Sequence, residues 1–233
     1  MQSSNSHDAT GPQYRTHSTE TDRHKSAQRG SKSADEIADA YADVADKLAR
    51  WRQLDQFFAG RYRRRQFTHA RGRVLDVACG TGRNFRSLTS ASEVVGIDIS
   101  EEMLVHARNE LGRLDLEGTV QQMDAQALDF PDDSFDTVIS SFSTCTFPDP
   151  IAALHEMDRV CTPDGEILLL EHRRSDAAPL ARFQDWRAES HYEKTGCRLT
   201  HDPLSTVEQA GLPVEDVSTA FFGLVTTIDV IPR

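Results

Sequence analysis

Lysine is nearly missing from this 233-residue chain: Lys25, Lys32, Lys47 and Lys194 are the only four among 26 basic residues, set against 37 acidic ones. The resulting net charge of −11 argues against a general nucleic-acid binder, which needs cationic surface for the phosphates. Cysteine is also scarce. Cys79, Cys145, Cys161 and Cys197 form no CxxC pair and no metal-ligand spacing, so the sequence predicts four reduced thiols, an intracellular (cytoplasmic) protein and no metal. No apolar run approaches the length that crosses a bilayer, and the polar start does not read as a signal peptide. Residues 1–33 hold almost no aliphatic side chains. Such a stretch cannot bury enough apolar surface to offset its ordering entropy, and it is expected to be a disordered polar tail.

What the chain does have is Val74-Leu75-Asp76-Val77-Ala78-Cys79-Gly80-Thr81-Gly82-Arg83-Asn84. An apolar run ending in a carboxylate and a glycine-rich turn predicts a buried parallel strand, a tight loop and a helix whose N–H groups face a ligand. Gly80 and Gly82 let the backbone approach that ligand closely. Asp98 ends the next strand, Glu93–Asp98, where a carboxylate can accept both hydroxyls of a ribose. A dinucleotide fingerprint would need a small residue where Phe85 stands, and Asp76 would repel phosphates while suiting an ammonium group.

These residues resemble the class I S-adenosylmethionine (SAM)-dependent methyltransferases. The resemblance implies an α/β fold: a Rossmann-like, mostly parallel seven-stranded sheet with helices on both faces and a C-terminal antiparallel hairpin. It implies SAM as cofactor and S-adenosylhomocysteine as product. Asp76, Ala78, Cys79, Gly80, Gly82 and Asn84 would then hold the amino-acid end of SAM, and Asp98 the ribose. Asp124 resembles the acid that accepts from the adenine amino group, with the Ala125 amide donating to the ring. Ser141 and Phe142 fall on the turn that meets the methionine part, and Tyr41 is the candidate to close over the pocket. Ile99 and Met103 offer flat apolar faces to a purine.

The organisation follows. Ile37, Tyr41, Val44, Leu48, Trp51, Leu54 and Phe58 recur at helical spacing from Ser33, so residues 34–66 read as a helical cap and 67–233 as the methyltransferase domain. Arg61, Arg63, Arg64 and Arg65 after Trp51, Phe57 and Phe58 read either as a solvated helix end or as a basic edge for a peripheral contact with an anionic membrane. Further strands are expected over Thr119–Ala125, Thr137–Phe142 and Glu166–Glu171, then a hairpin of Val214–Phe222 and Leu224–Ile231. Helices are expected after Asp149 and Asp202, with Thr162–Gly165 as a turn.

Two narrower resemblances concern the methyl acceptor, taken to be a small molecule. "ALDFPDDSFDTVISSF" and "PDPIAALHEMDRV" are similar to the ubiquinone/menaquinone C-methyltransferases. Glu171-His172, Trp186, Gly196-Cys197-Arg198-Leu199-Thr200, Gly211, Asn84-Phe85 and Cys145 resemble the methyltransferase-like thiol S-methyltransferases, without the hydrophobic N-terminal anchor of that branch. A thiol or sulfide acceptor is placed first, and a quinone, phospholipid or other lipid-like acceptor second. A noncatalytic SAM-binding protein comes third, and a nucleotide-sugar or NAD enzyme last. His172, just past a strand end, is the candidate base, because its titration range suits proton removal. Tyr192 is the second candidate catalytic residue. Together with Asp185, His191 and His201 it lies in the segment expected to cover the acceptor. Cys145 is read as a small core residue, since direct methyl transfer needs no protein nucleophile.

Overall fold

The fold is that of a computed structural model, which describes residues 31–42, 44–50, 59–114 and 116–233. The tail expected over 1–33 lies almost wholly outside them, as do Trp51, Leu54, Phe57 and Phe58. Chain contacts separate Met1–Ser31 from Lys32–Arg233, and everything below concerns the second unit.

Seven strands form one sheet: β1 Arg71–Val77, β2 Ser90–Asp98, β3 Gly118–Gln122, β4 Phe135–Ser141, β5 Cys161–His172, β6 Val214–Ala220 and β7 Val225–Val230. Their order is β3-β2-β1-β4-β5-β7-β6. The first five run parallel, and β7 pairs antiparallel with both β5 and β6, so the expected sheet and its C-terminal hairpin are present. The strand order reverses between β1 and β4. There the connections leave in opposite directions and open a crevice at the carboxyl ends.

Helices cover both faces. They are α1 Ala34–Ala42, α2 Ala45–Arg50, α3 Gly60–Phe67, α4 Glu101–Leu111, α5 Pro150–Val160, α6 Ala178–Thr195 and α7 Pro203–Gln209. Because side chains alternate along a strand, Ile167 and Leu169 of β5 join one core with Leu154, Met157 and Val207. Leu168 and Leu170 join a second core with Phe67, Leu104 and Leu111. That is why the central strands read as unbroken apolar runs. Each such side chain removed from water contributes about 1.5–3 kcal/mol. Ser100 caps α4 by accepting from the Met103 amide, and Asp149 caps α5 by accepting from the Ile151 and Ala152 amides, with Pro150 in the first turn.

Four expectations change. No α-helix follows the glycine loop: only a single 3-10 turn, Phe85–Ser87, separates it from β2. The connection is too short for more, and the Phe85 ring occupies the space beside Gly82 and Gly96. The cap is not one continuous helix: α1 ends at Ala42, Val44 is in a turn, and α2 begins at Ala45. β5 already begins at Cys161, the expected turn being absorbed as a shift of register against β4. Finally, Arg63 is neither a solvated helix end nor a surface cation. It lies on the inward stripe of α3 with Gln66 and Phe67 and is buried.

Candidate active site

The crevice holds a cavity of about 330 Å³, within the range of small-ligand sites. Its floor is built by two backbone ties. The Gly80 amide donates to Asp98 Oδ2 at 2.8 Å and the Ser100 amide to Oδ1 at 3.0 Å, so one carboxylate locks the loops after β1 and β2 together. Burial pushes Asp98 up from its ordinary value, against those donated bonds. Gly80 has φ +55° and nothing within 4 Å of where a Cβ would stand.

Eleven of the fourteen positions expected to touch a nucleoside cofactor form the cavity wall: Tyr41, Ala78, Cys79, Gly80, Asp98, Ile99, Met103, Asp124, Ala125, Ser141 and Phe142. Asp124 already accepts from the Gln126 amide and side chain. Ala78 and Phe142, at the ends of β1 and β4, both have φ 54°, a left-handed conformation that L-residues adopt at a cost. Met123, Thr146, Phe147 and Pro148 also line the wall, although nothing in their local pattern marks them.

Asp76, Gly82 and Asn84 are corrections, because they stand behind the wall. Asp76 is fully buried, and its Oδ1 accepts from Asn84 Nδ2 at 2.9 Å. Asn84 Oδ1 in turn accepts from Arg63 Nε at 3.0 Å and from Ser141 Oγ at 2.9 Å. Arg63 itself reaches the cavity, its guanidinium 5.3 Å from the Phe142 ring centre. Burial pushes Asp76 up to about 7, although the Asn84 bond and the Arg63 charge act in the other direction. Its Oδ2 has no protein partner. Gly82 serves packing: a Cβ there would sit 2.7 Å from the Phe85 ring. Two arginines, Arg63 and Arg83, line the cavity, and Arg63 escaped sequence reading because it sits in a run of arginines. Its i, i+3 relation to Gln66 was the available signal.

Both candidate catalytic residues are displaced from the cavity wall. The Tyr192 hydroxyl accepts from the Lys32 amide at 2.9 Å, and Arg198 stacks over its ring at 5.4 Å. It joins α6 to the start of α1. His172 points instead at two thiols. Its Nε2 lies 3.0 Å from Cys145 Sγ and 3.2 Å from Cys197 Sγ, and the two sulfurs are 3.3 Å apart. The spacing of the cysteines suggests no such cluster, and Cys145 is more than core filler. The contact with Cys145, with His172 assisting, lowers the Cys197 thiol from its ordinary value against burial. Burial would lower His172, but its bond to Cys197 and that thiol's charge raise it. Next to it, burial pushes Glu171 up to about 7 while its Oε1 accepts from the Ser143 and Thr144 amides. Burial, followed by the charges of both thiols, Asp98 and Glu171, raises the Tyr41 hydroxyl well above its ordinary value. Asp185 pairs with Arg174, and the half-buried His201 is pushed down to about 3, chiefly by desolvation.

Residues 75–169 match the family described as a methyltransferase domain. The phosphatidylethanolamine N-methyltransferase of Cereibacter sphaeroides is 39% identical over 63% of this chain and 78% of its own. The ubiquinone/menaquinone biosynthesis C-methyltransferase UbiE of Pasteurella multocida is 33% identical over 72% of this chain and 67% of its own. A methyltransferase solved with the Haloferax volcanii Trm112 activator shares the fold, with a TM-score of 0.68 at 20% identity over 83% of this chain and 98% of its own. With this sheet and this match over the motif-bearing strands, the chain belongs to the class I SAM-dependent methyltransferases.

Proposed function

We propose that this methyltransferase acts on a lipid-borne acceptor, a phospholipid amine ahead of a quinone, taken from a membrane surface. The observation that carries this reading is an exposed aromatic patch at the ligand-binding edge of the sheet. His172 pairs with Val225, so the β6–β7 turn lies at the carboxyl end of β5. In that turn Phe221 and Phe222 are exposed, although both have positive φ, 54° and 59°. Two aromatic residues held at a backbone cost in solvent suggest function rather than packing. The Phe222 carbonyl accepts from Ser175 Oγ and the Asp176 amide, which places the turn against the start of α6. There Leu180, Phe183 and Trp186 recur every three residues, and Trp186 is 73% exposed. Arg182 and Arg187 lie one helical turn from Trp186 and Phe183, and Arg187 stacks on the Trp186 ring. Aromatic side chains with interleaved arginines suit the boundary between lipid headgroups and acyl chains. Among the described residues no helix is long and apolar enough to cross a membrane, so this reading is one of surface contact. The names of the two relatives support it, and neither names a thiol.

The wall fits SAM. Asp98 offers unused carboxylate lone pairs to ribose hydroxyls, and Asp124 and Ala125 offer an acceptor and an amide to adenine. Ile99 and Met103 would flank the purine, and Tyr41 would cover it. Arg63 and Ser141 would hold the carboxylate of the amino-acid end, and an ammonium bound nearby would favour the ionised form of the buried Asp76, whose Oδ2 is unpartnered. SAM, when bound, supplies a methyl group on an already activated sulfonium. The chain's part is therefore alignment of an acceptor atom and exclusion of water.

A thiol acceptor is the second reading, favoured by the His172 imidazole, a proton acceptor in contact with two thiols at the carboxyl end of β5. Methyl transfer from labelled SAM to phosphatidylethanolamine vesicles, quinone precursors and a thiol panel separates them. Transfer to lipid nitrogen or ring carbon is expected. Transfer to sulfur alone would reverse the order, and tight SAM binding without turnover would leave a noncatalytic binder.

A further inference from the structure

We propose that Cys145, His172 and Cys197 bind a zinc ion. The three donors come from distant segments: the loop after β4, the end of β5 and the loop after α6. Their ligand atoms all lie within 4.8 Å of one another. Zinc takes thiolate at about 2.3 Å and imidazole at about 2.0–2.1 Å in a tetrahedron, which sets donor–donor edges of roughly 3.5–3.8 Å. The edges here, 3.0, 3.2 and 3.3 Å, need to open by no more than about half an ångström to admit it.

Ordinary packing does not explain an imidazole nitrogen in contact with two buried sulfurs. A disulfide does not either, since bridging the sulfurs would leave Nε2 facing a weak acceptor. The donor set selects the metal, because two thiols and one imidazole suit zinc rather than the oxygen-seeking magnesium or calcium. Charge agrees as well. Zinc takes both sulfurs as thiolates and the imidazole as neutral, so binding releases the Cys145 thiol proton and the proton shared between His172 and Cys197; two thiolates with one dication are neutral, which suits a site where Cys145 is 0% and Cys197 8% exposed. The framework is already rigid. The Arg198 amide donates to the Cys145 carbonyl at 3.1 Å, and the Arg198 guanidinium donates to the Cys145 and Phe147 carbonyls at 3.2 and 2.9 Å. The Cys197 and Cys145 loops are thus tied together without the metal. The three donors leave the fourth position of the tetrahedron to water or another exogenous ligand. The site is independent of which acceptor is methylated.

The test uses the full chain, expressed with zinc, gel-filtered under reductant and analysed by plasma mass spectrometry. About one zinc per chain is expected, as for a site with this donor set. Cobalt exchanged into the same protein is expected to give a thiolate-to-metal charge-transfer band. Cys145→Ser and Cys197→Ser should each lose the zinc and the band while keeping the wild-type circular dichroism. If those variants do not fold, the cobalt spectrum of the wild-type protein and zinc release on thiol alkylation decide. Wild-type protein with no zinc above the variants, no charge-transfer band, or a Cys145–Cys197 disulfide in metal-free material would overturn the proposal.

Discussion

The two ends of the crevice were built differently. On the side of β1, β2 and β3, the residues that shape the cavity come in short sequence runs: Ala78 to Gly80, Asp98 to Met103, and Asp124 with Ala125. On the side of β5 and α6, one cluster draws on Cys145, His172 and Cys197, with the longest gap 52 residues between its two cysteines. The first side depends on turn chemistry and strand ends, which are local. The second depends on which loops the sheet order brings together, which is not. Substitutions should therefore act on backbone and cofactor at one end, and on acceptor and surface at the other.

The largest expected effect is at Gly82. Alanine there keeps φ near +76° and drives a Cβ into the Phe85 ring, so a loss of about 3 kcal/mol in thermal or denaturant unfolding is expected. Gly80→Ala, with open space around it, should cost only about 1 kcal/mol. Equal losses at the two glycines would break the distinction between packing and ligand approach within this turn.

Next comes Asp98→Ala, expected to weaken SAM binding by roughly 1–3 kcal/mol in calorimetry, the scale for removing a charged hydrogen-bond partner. Methyl transfer at saturating SAM should be much less affected. Unchanged affinity would remove Asp98 from the ribose.

Asp76 gives the pH dependence. Its folded value, about 7, lies above the ordinary 3.8, so between those limits the folded state keeps a proton that the unfolded chain has lost. Stability must then fall as pH rises from about 4 to about 7, by at most about 1.4 kcal/mol per unit from this group. Asp76→Asn should flatten that part of the profile, and parallel profiles for variant and wild type would contradict the cost of burying its charge.

The smallest effect belongs to the surface. Phe222→Gly should stabilise the chain by about 1 kcal/mol by relieving a left-handed phenylalanine. The same change should reduce sedimentation with phospholipid vesicles. A variant that binds vesicles as well as wild type would leave the aromatic turn without its proposed task.

The sheet, its hairpin and most of the cavity wall were legible because apolar strand runs, capping residues and a glycine turn are short-range signals. The mostly parallel character of the sheet followed from family resemblance, and the order of its strands from the structure. Arg63 was missed because a run of arginines carries no sign of which one turns inward. Asp76 was read as touching ligand because the sequence shows a strand-end acid, not the Asn84 amide and Arg63 side chain that come between it and the cavity. His172 was found at the right strand end, but its partners come from loops on either side of it. No spacing rule joins Cys145 to Cys197.

The single 3-10 turn between the glycine loop and β2 has a consequence for ligand choice. A longer helix there would point accumulated positive dipole at the cavity and welcome a pyrophosphate. One turn supplies little of that field, so the acids nearby are left to dominate. Selection for a cationic nucleoside over a dinucleotide is thus encoded in the length of a connection, and lengthening that connection by a few turns would alter it without touching one wall residue.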